Sequence, residues 1–183
     1  MNQPQPSFKE NVLDAICKGA LKYKQVFLDY EYQVYSKSFK INNSYIIAAT
    51  KSNFLHLTGV NTKLSSTLFF DKALNKSLTL NDFDFCKKGQ TEKIVKGSVR
   101  RKVKFLTDLD KILSSTTLVE ENFVKNQVSC TLAASEKSFT IGFIAVPYCV
   151  PKTLLKGNEL KKPGKIDSIK RRKKGSKDFE DFI

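Results

Sequence analysis

The chain has 183 residues, of which 40% are hydrophobic and 27% charged, so it can form one folded domain and does not have the composition of a disordered chain. Its 32 Lys and Arg residues outnumber its 18 Asp and Glu residues, and the formal net charge of +14 predicts association with RNA, DNA or an acidic protein surface. No apolar run approaches the roughly 20 residues that span a bilayer, and the first residues contain no targeting pattern, so we expect a cytoplasmic protein without a membrane segment.

The first half of the chain predicts two helices with a hairpin between them. Ser7 begins a capping box, and apolar residues at helical spacing follow it, which predicts a helix over about 8–26. The alternating run 30–35 and the β-branched run 44–50 predict two paired strands. A serine cap and apolar pairs three and four residues apart predict a short helix over 65–75.

The second half predicts one more helical region and then strands. Apolar residues at helical spacing predict helix over about 91–114, with a break near Gly97. The runs 126–135 and 137–146 are separated by a polar turn and predict an antiparallel hairpin. The next stretch, "YCVPKTLL", predicts an extended segment that Pro151 places at a sheet edge or a strand end.

These elements predict an α+β fold in which helices interrupt and flank a small, mostly antiparallel sheet. We expect a single domain over 1–183, with a basic C-terminal hairpin or tail at about 160–183. The four cysteines are far apart and belong to no paired motif, which predicts reduced thiols.

The only histidine, His56, lies in the stretch "SNFLHLTG" at 52–59. A histidine titrates near neutral pH and can serve as a general acid or base. It can equally be a packed side chain that is hydrogen-bonded to backbone, and Thr58 and Gly59 can be a simple turn. The residues themselves leave both interpretations open.

Several segments resemble a known family. "KSNFLHLTGV" at 51–60, "LTLNDFDF", "FTIGFIAV" and "YCVPKTLLKGN" are similar to the phage barnase/EndoU/colicin/RelE-like nucleases of phages and mobile elements, and the His-Leu-Thr-Gly core is the most specific part. The resemblance implies an RNase-like fold and a metal-independent attack on RNA. It also implies a central role for His56, beside Thr58 in the same motif and Tyr148 and Lys152 in the late strand segment.

Cleavage of RNA through its own 2′-hydroxyl needs a base, an acid and cations around the charge that develops on phosphorus. With one histidine, His56 needs a partner such as a tyrosine, a lysine or a carboxylate, with lysine or arginine as the electrostatic stabiliser. The candidate catalytic residues are His56, Thr58, Tyr148 and Lys152.

Two basic runs, "VRRKVK" and "KRRKKGSK", predict contacts to phosphates or to an acidic partner surface. The candidate binding residues are Arg100, Arg101, Lys102, Lys104, Lys170, Arg171, Arg172, Lys173 and Lys174. These runs do not distinguish RNA from DNA or from a protein that handles nucleic acid.

No cofactor is expected, but zinc is an alternative that the residue types allow. Cys86, Cys130, Cys149 and His56 are four zinc-ligand types, although no C-x-x-C spacing supports a site and each cysteine can be a small buried hydrophobe. Cys86 and Cys149 also stand where the family pattern does not lead us to expect cysteine.

Two hypotheses of different classes follow. The first is a mobile-element ribonuclease with His56 at its centre. The second is a non-enzymatic anti-CRISPR inhibitor that binds a type II CRISPR effector nuclease and blocks guide RNA or target DNA, with charge complementarity setting the encounter rate. The motif, the net charge and the family resemblance favour the first, towards which the sequence leans as a nuclease-fold protein that acts on nucleic acid or nucleic-acid machinery. The single histidine and the absence of a clear acid/base pair favour the second, in which zinc would have a structural role.

Overall fold

A computed structural model describes residues 5–125 and 127–183. The start of the chain at residues 1–4, and residue 126, the first position of a predicted strand, lie outside the described residues. The elements, in chain order, are α1 (Phe8–Tyr23), β1 (Tyr30–Tyr35), β2 (Ser44–Ile47), α2 (Phe54–Thr58), α3 (Ser66–Leu74), α4 (Glu92–Val103), β3 (Leu118–Lys125), β4 (Val128–Glu136), β5 (Phe139–Val146), β6 (Tyr148–Lys156), β7 (Gly164–Lys165), β8 (Ser168–Lys173) and β9 (Glu180–Asp181).

The predicted helices over about 8–26 and 65–75 form with small changes of length, whereas the region predicted over about 91–114 is an α-helix only as far as Val103 and is followed by a separate 3-10 turn, Leu109–Ile112. The Ser7 hydroxyl and the Glu10 carboxylate form the expected capping box at the start of α1, and Ser65 caps α3. A π-helical turn, Lys24–Leu28, continues α1 to the predicted end. The break after α4 does not come at Gly97, because the helix continues through it to Val103.

The sheet is larger than the sequence predicts. Its nine strands have the order β7-β3-β4-β5-β6-β2-β1-β8-β9 and curl into a half-barrel. It is a mixed sheet, because β2 runs parallel to β6. The prediction of a small, mostly antiparallel sheet is therefore corrected, since β3 and the pairing of β2 with β6 depend on contacts between distant parts of the chain.

Both predicted hairpins are present, β1 with β2 and β4 with β5. The edge position predicted from Pro151 is wrong, because β6 lies between β5 and β2. The proline is tolerated since β2 pairs with β6 only between Ile47 and Cys149, and the short helix α2 contacts β6 instead. A β-bulge, at which Phe143 faces Pro151 and Gly142 faces Thr153, leaves Lys152 as the extra residue of β6.

The C-terminal residues complete the sheet. The strand β8 pairs along the full length of β1, and β7 pairs with β3 at the opposite side of the sheet. The segment between them is held by hydrogen bonds from the Ser36 hydroxyl to the Lys165 carbonyl oxygen and from the Asp167 amide to the Tyr35 carbonyl oxygen. The basic stretch at 168–173 is thus a strand that pairs with β1 on one side and with β9 on the other, and its antiparallel pairing with β9 is the predicted C-terminal hairpin.

Candidate functional site

The helix α2 carries His56 at the edge of β6. Phe54 and Leu57 are buried in the main hydrophobic cluster, whereas the His56 side chain is exposed. Two apolar anchors three residues apart leave the position between them on the outer face of the helix. Packing of α2 therefore presents the histidine to solvent.

The other residues of the His-Leu-Thr-Gly motif hold this helix in place. Thr58 is fully buried, and its hydroxyl donates to the Leu55 carbonyl oxygen at 2.8 Å and accepts from the Val60 amide at 3.3 Å. Gly59 ends the helix with a φ of 79°, a conformation that glycine adopts without strain. Thr58 is therefore a capping residue, and its predicted catalytic role is not supported by this position.

Gly59 has a second role, because the side chain of Lys102 crosses it. A β-carbon at this glycine would lie 2.9 Å from Lys102 Cδ. The lysine extends past Gly59, and its Nζ donates to the His56 carbonyl oxygen at 3.0 Å. The motif and the basic helix α4 therefore meet at one point.

Three lysines from three separate segments of the chain affect the pKa of His56. Partial burial, the largest cause, and the positive charges of Lys102, Lys152 and Lys87 all lower the pKa of the imidazole from its ordinary value. His56 is consequently neutral at pH 7, with a free nitrogen that can accept a proton. Lys152 lies at the β-bulge of β6, and Lys87 lies in the turn before α4.

Lys102 is itself perturbed. Burial, with a smaller contribution from Lys87, lowers its pKa to about 8. It is therefore mostly protonated at pH 7 but gives up its proton far more readily than an ordinary lysine. The site holds a neutral imidazole beside an ammonium group whose pKa is near neutral.

Tyr148 lies in a cleft whose lining does not include His56. It is 44% exposed at the start of β6 and lines a space of about 310 Å³ with Asn42, Tyr45 and Thr131. His56 is not among the residues that line this space. The structure thus brings Lys152 to the histidine, whereas Tyr148 is not among the groups that shift the pKa of His56.

The predicted binding residues of α4 divide between two flanks of the helix. Lys102 faces Gly59 and His56, while the Arg100 guanidinium lies 5.1 Å from the ring centre of Phe8. Arg101 is exposed, and the Lys104 ammonium lies 5.7 Å from the Phe105 ring. Only Lys102 of this run reaches the histidine.

The basic residues of β8 are used mainly in holding the sheet. The Arg171 guanidinium lies 4.5 Å from the Tyr30 ring and 4.4 Å from the Phe182 ring, and Arg172 forms an ion pair with Glu31. Three further lysines complete the run. Lys170 pairs with Asp181 at 3.8 Å, the Lys174 ammonium donates to the Ala49 carbonyl oxygen, and Lys173 is exposed.

The predicted zinc ligands are not gathered. Within residues 5–125 and 127–183, no three His, Cys, Asp or Glu side chains lie close enough to hold one metal ion. Cys130 is in a small cluster with Phe123, Cys149 is in the main cluster, where burial raises its pKa to about 11, and Cys86 is exposed. The buried pair behaves as small hydrophobic residues.

Sequence reasoning missed Lys87 as a member of the site. It stands in the turn "CKKGQ", where a lysine has no distinguishing signal. Only the structure shows that it lies near His56, because the bridge between Asn61 and Asp84 places the turn that follows Asp84 next to the motif. The role of Gly59 in admitting Lys102 was equally invisible, since the two residues are 43 positions apart.

The structure combines a curled mixed sheet, helices packed on it, and a histidine on a short helix among lysines. The chain belongs to the family described as phage-Barnase-EndoU-ColicinE5/D-RelE like nuclease4, whose model matches residues 15–182. The resemblance seen in the sequence is thereby confirmed. No curated protein and no solved structure matches the chain significantly. In the described part of the chain, no helix has both the length and the apolar character needed to cross a membrane.

Proposed function

We propose that this chain is a metal-independent ribonuclease that cleaves RNA by attack of the 2′-hydroxyl on the adjacent phosphorus. The observation that carries the proposal is the passage of Lys102 over Gly59, which places an ammonium group beside the only histidine of the chain. Membership of a nuclease-like family supports the same reaction class.

In this reaction His56 is the general base. Its pKa is lowered by burial and by Lys102, Lys152 and Lys87, so the imidazole is unprotonated at neutral pH and can remove the 2′-hydroxyl proton. The lysines supply positive charge where negative charge develops on the phosphoryl oxygens. Because they are fixed by separate segments of the fold, little reorganisation is needed during the reaction.

Lys102 is the general acid of the proposal. As the bond from O2′ to phosphorus forms and the bond from phosphorus to O5′ breaks, the Lys102 ammonium gives its proton to O5′. The products are a 2′,3′-cyclic phosphate and a free 5′-hydroxyl. Solvent then removes the proton from His56 and returns one to Lys102, so the enzyme is regenerated without another reactant.

The test compares cleavage of labelled RNA by the wild type and by His56→Ala in EDTA. We expect His56→Ala to lower the rate by about 100-fold or more, because a general base contributes at least that factor. The exposed substitution Thr67→Ala on α3 is the control and should leave the rate unchanged, and thermal melting of all three proteins should show that they fold.

Three outcomes contradict the proposal. Equal cleavage by His56→Ala and the wild type would remove the histidine from the chemistry. Loss of wild-type cleavage in EDTA, with recovery on adding a divalent cation, would show that the reaction uses a metal. Absence of cleavage by all of the proteins would favour the alternative that the sequence suggested, an inhibitor of a CRISPR effector. No contact among the described residues supports that alternative.

A further inference from the structure

A second group of cations consists of Lys9 on α1 and Lys96 and Arg100 on α4, and each of them lies over a phenylalanine ring. Lys9 is 5.3 Å from the ring centre of Phe83, Lys96 is 5.5 Å from that of Phe85, and Arg100 is 5.1 Å from that of Phe8. A cation held over a ring keeps N–H groups free on its outer side. The three pairs therefore present a row of fixed donors.

These pairs line two adjoining clefts. The first, of about 360 Å³, includes Phe8, Lys9, Phe85 and Lys96 in its walls. The second, of about 500 Å³, includes Lys96 and Arg100, and the two clefts share Lys96 and Glu92. We call this continuous depression between the start of α1 and α4 the α1–α4 groove.

Two carboxylates also line the α1–α4 groove, and both are engaged. Asp84 accepts hydrogen bonds from the Cys86 amide at 2.8 Å and the Asn61 amide group at 3.0 Å, which hold its pKa below the usual range. Glu92 pairs with Lys96 at 2.7 Å on the exposed surface, where such pairs are weak. Among the described residues that line the α1–α4 groove, the cationic side chains therefore outnumber the carboxylates that are free to repel a phosphate.

Two neighbouring residues link the groove to the site of His56 along the chain. Cys86 lines the first cleft, and the next residue, Lys87, is one of the three lysines that act on the histidine. A strand of RNA whose scissile phosphate lies at His56 can pass Lys87 and continue into the groove. Contacts of this kind bind phosphates and read no sequence.

We propose that the α1–α4 groove binds the phosphodiester backbone of single-stranded RNA on one side of the scissile linkage, through Lys9, Lys96 and Arg100. This inference rests on the proposed function for its substrate, but it concerns binding and not the chemical step. It assigns the extended part of the substrate to a surface that is separate from His56 and the lysines around it.

The test measures fluorescence anisotropy of labelled 2′-O-methyl oligoribonucleotides, which cannot be cleaved because the attacking hydroxyl is blocked. We expect the double substitution Lys96→Gln/Arg100→Gln to weaken binding of a strand of about ten nucleotides by about tenfold. The slope of log Kd against log salt concentration should fall by about 1.4, since each of the two lost phosphate contacts on a single strand contributes about 0.7. Binding of a trinucleotide, which reaches only the His56 site, should not change.

The matched control is Lys161→Gln/Lys162→Gln, which removes the same charge from two exposed lysines outside the groove. Equal weakening by the control, or no weakening by the groove variant, overturns the inference. Arg100→Gln alone, with an expected loss of about threefold, serves if the double variant does not fold. The binding measurement needs no cleavage, so the two proposals can fail separately. Binding in the groove without His56-dependent cleavage contradicts only the proposed function. His56-dependent cleavage without binding in the groove contradicts only this inference.

Discussion

At the scale of single residues, the site depends on the absence of one side chain. Gly59 has a positive φ and lies under Lys102, so it both ends α2 and leaves room for the lysine stem. The Lys102 ammonium then reaches the carbonyl oxygen of His56. The position of the ammonium group relative to the imidazole is therefore determined by a glycine that takes no part in the chemistry.

Gly59→Ala tests this dependence, with Gly175→Ala as the matched control. Both glycines have a left-handed φ, of 79° and 89°, but a β-carbon at Gly175 meets no atom within 4 Å. We expect both variants to lose about 1 kcal/mol of unfolding free energy from backbone strain, measured by urea denaturation. Only Gly59→Ala should also lower RNA cleavage, by about tenfold, because Lys102 must move. Equal cleavage by the two variants would contradict the role assigned to the glycine.

The pH dependence of cleavage tests the assignment of base and acid. The rate should rise with pH through the lowered pKa of His56, since the base must lose its proton, and fall through about 8, since Lys102 must keep its proton. Lys102→Arg should remove the alkaline fall, because a guanidinium stays protonated throughout this range. The measurement is kcat/KM between about pH 5 and 10.

The control for the pH profile is Lys152→Arg, which changes another lysine near His56 in the same way. This variant should retain the alkaline fall. An alkaline fall that persists in Lys102→Arg would show that a different group donates the proton.

At the scale of elements, β8 is a basic strand whose charges stabilise the sheet. It pairs with β1 over six residues, and the register places Arg172 opposite Glu31. The Arg172 guanidinium donates to the Glu31 carboxylate at 2.7 Å and stacks on Phe179 at 4.4 Å, with both ion-pair side chains mostly buried. The run of positive charges in the sequence is therefore a strand whose two arginines contact specific acidic and aromatic side chains.

Arg172→Ala should therefore lower the unfolding free energy by about 2–3 kcal/mol, because it leaves the Glu31 carboxylate partly buried without its partner. Its neighbour Lys173 is exposed, and Lys173→Ala should change stability by less than about 0.5 kcal/mol. Urea denaturation of the two variants makes the comparison. Similar small losses in both would indicate that the ion pair contributes little.

At the scale of the whole molecule, the sheet joins segments that are far apart in the chain. The β1–β2 loop lies on β3, where the Glu121 carboxylate accepts from the amides of Lys40 and Ile41 and from the Tyr45 hydroxyl. These hydrogen bonds hold the pKa of Glu121 below its ordinary value against the effect of burial. The net charge of +14 belongs to the whole molecule and favours its association with polyanions.

The sequence by itself determined what depends on near neighbours. The capping box at Ser7, the helix that follows it and the two hairpins were predicted, because capping and apolar periodicity act within a few residues. It also determined the family, through the His-Leu-Thr-Gly motif. These features persist in the fold because local preference and tertiary packing agree there.

Only the tertiary structure decided which charged residues act together. It brought Lys87, Lys102 and Lys152 to His56, placed Tyr148 in a cleft whose lining does not include His56, and buried Thr58 as a cap. It also separated the cysteines and paired the C-terminal basic strand with β1. The physical reason is the same in each case, since strand pairing and core packing between distant segments set these positions, and no local pattern in the sequence encodes such contacts.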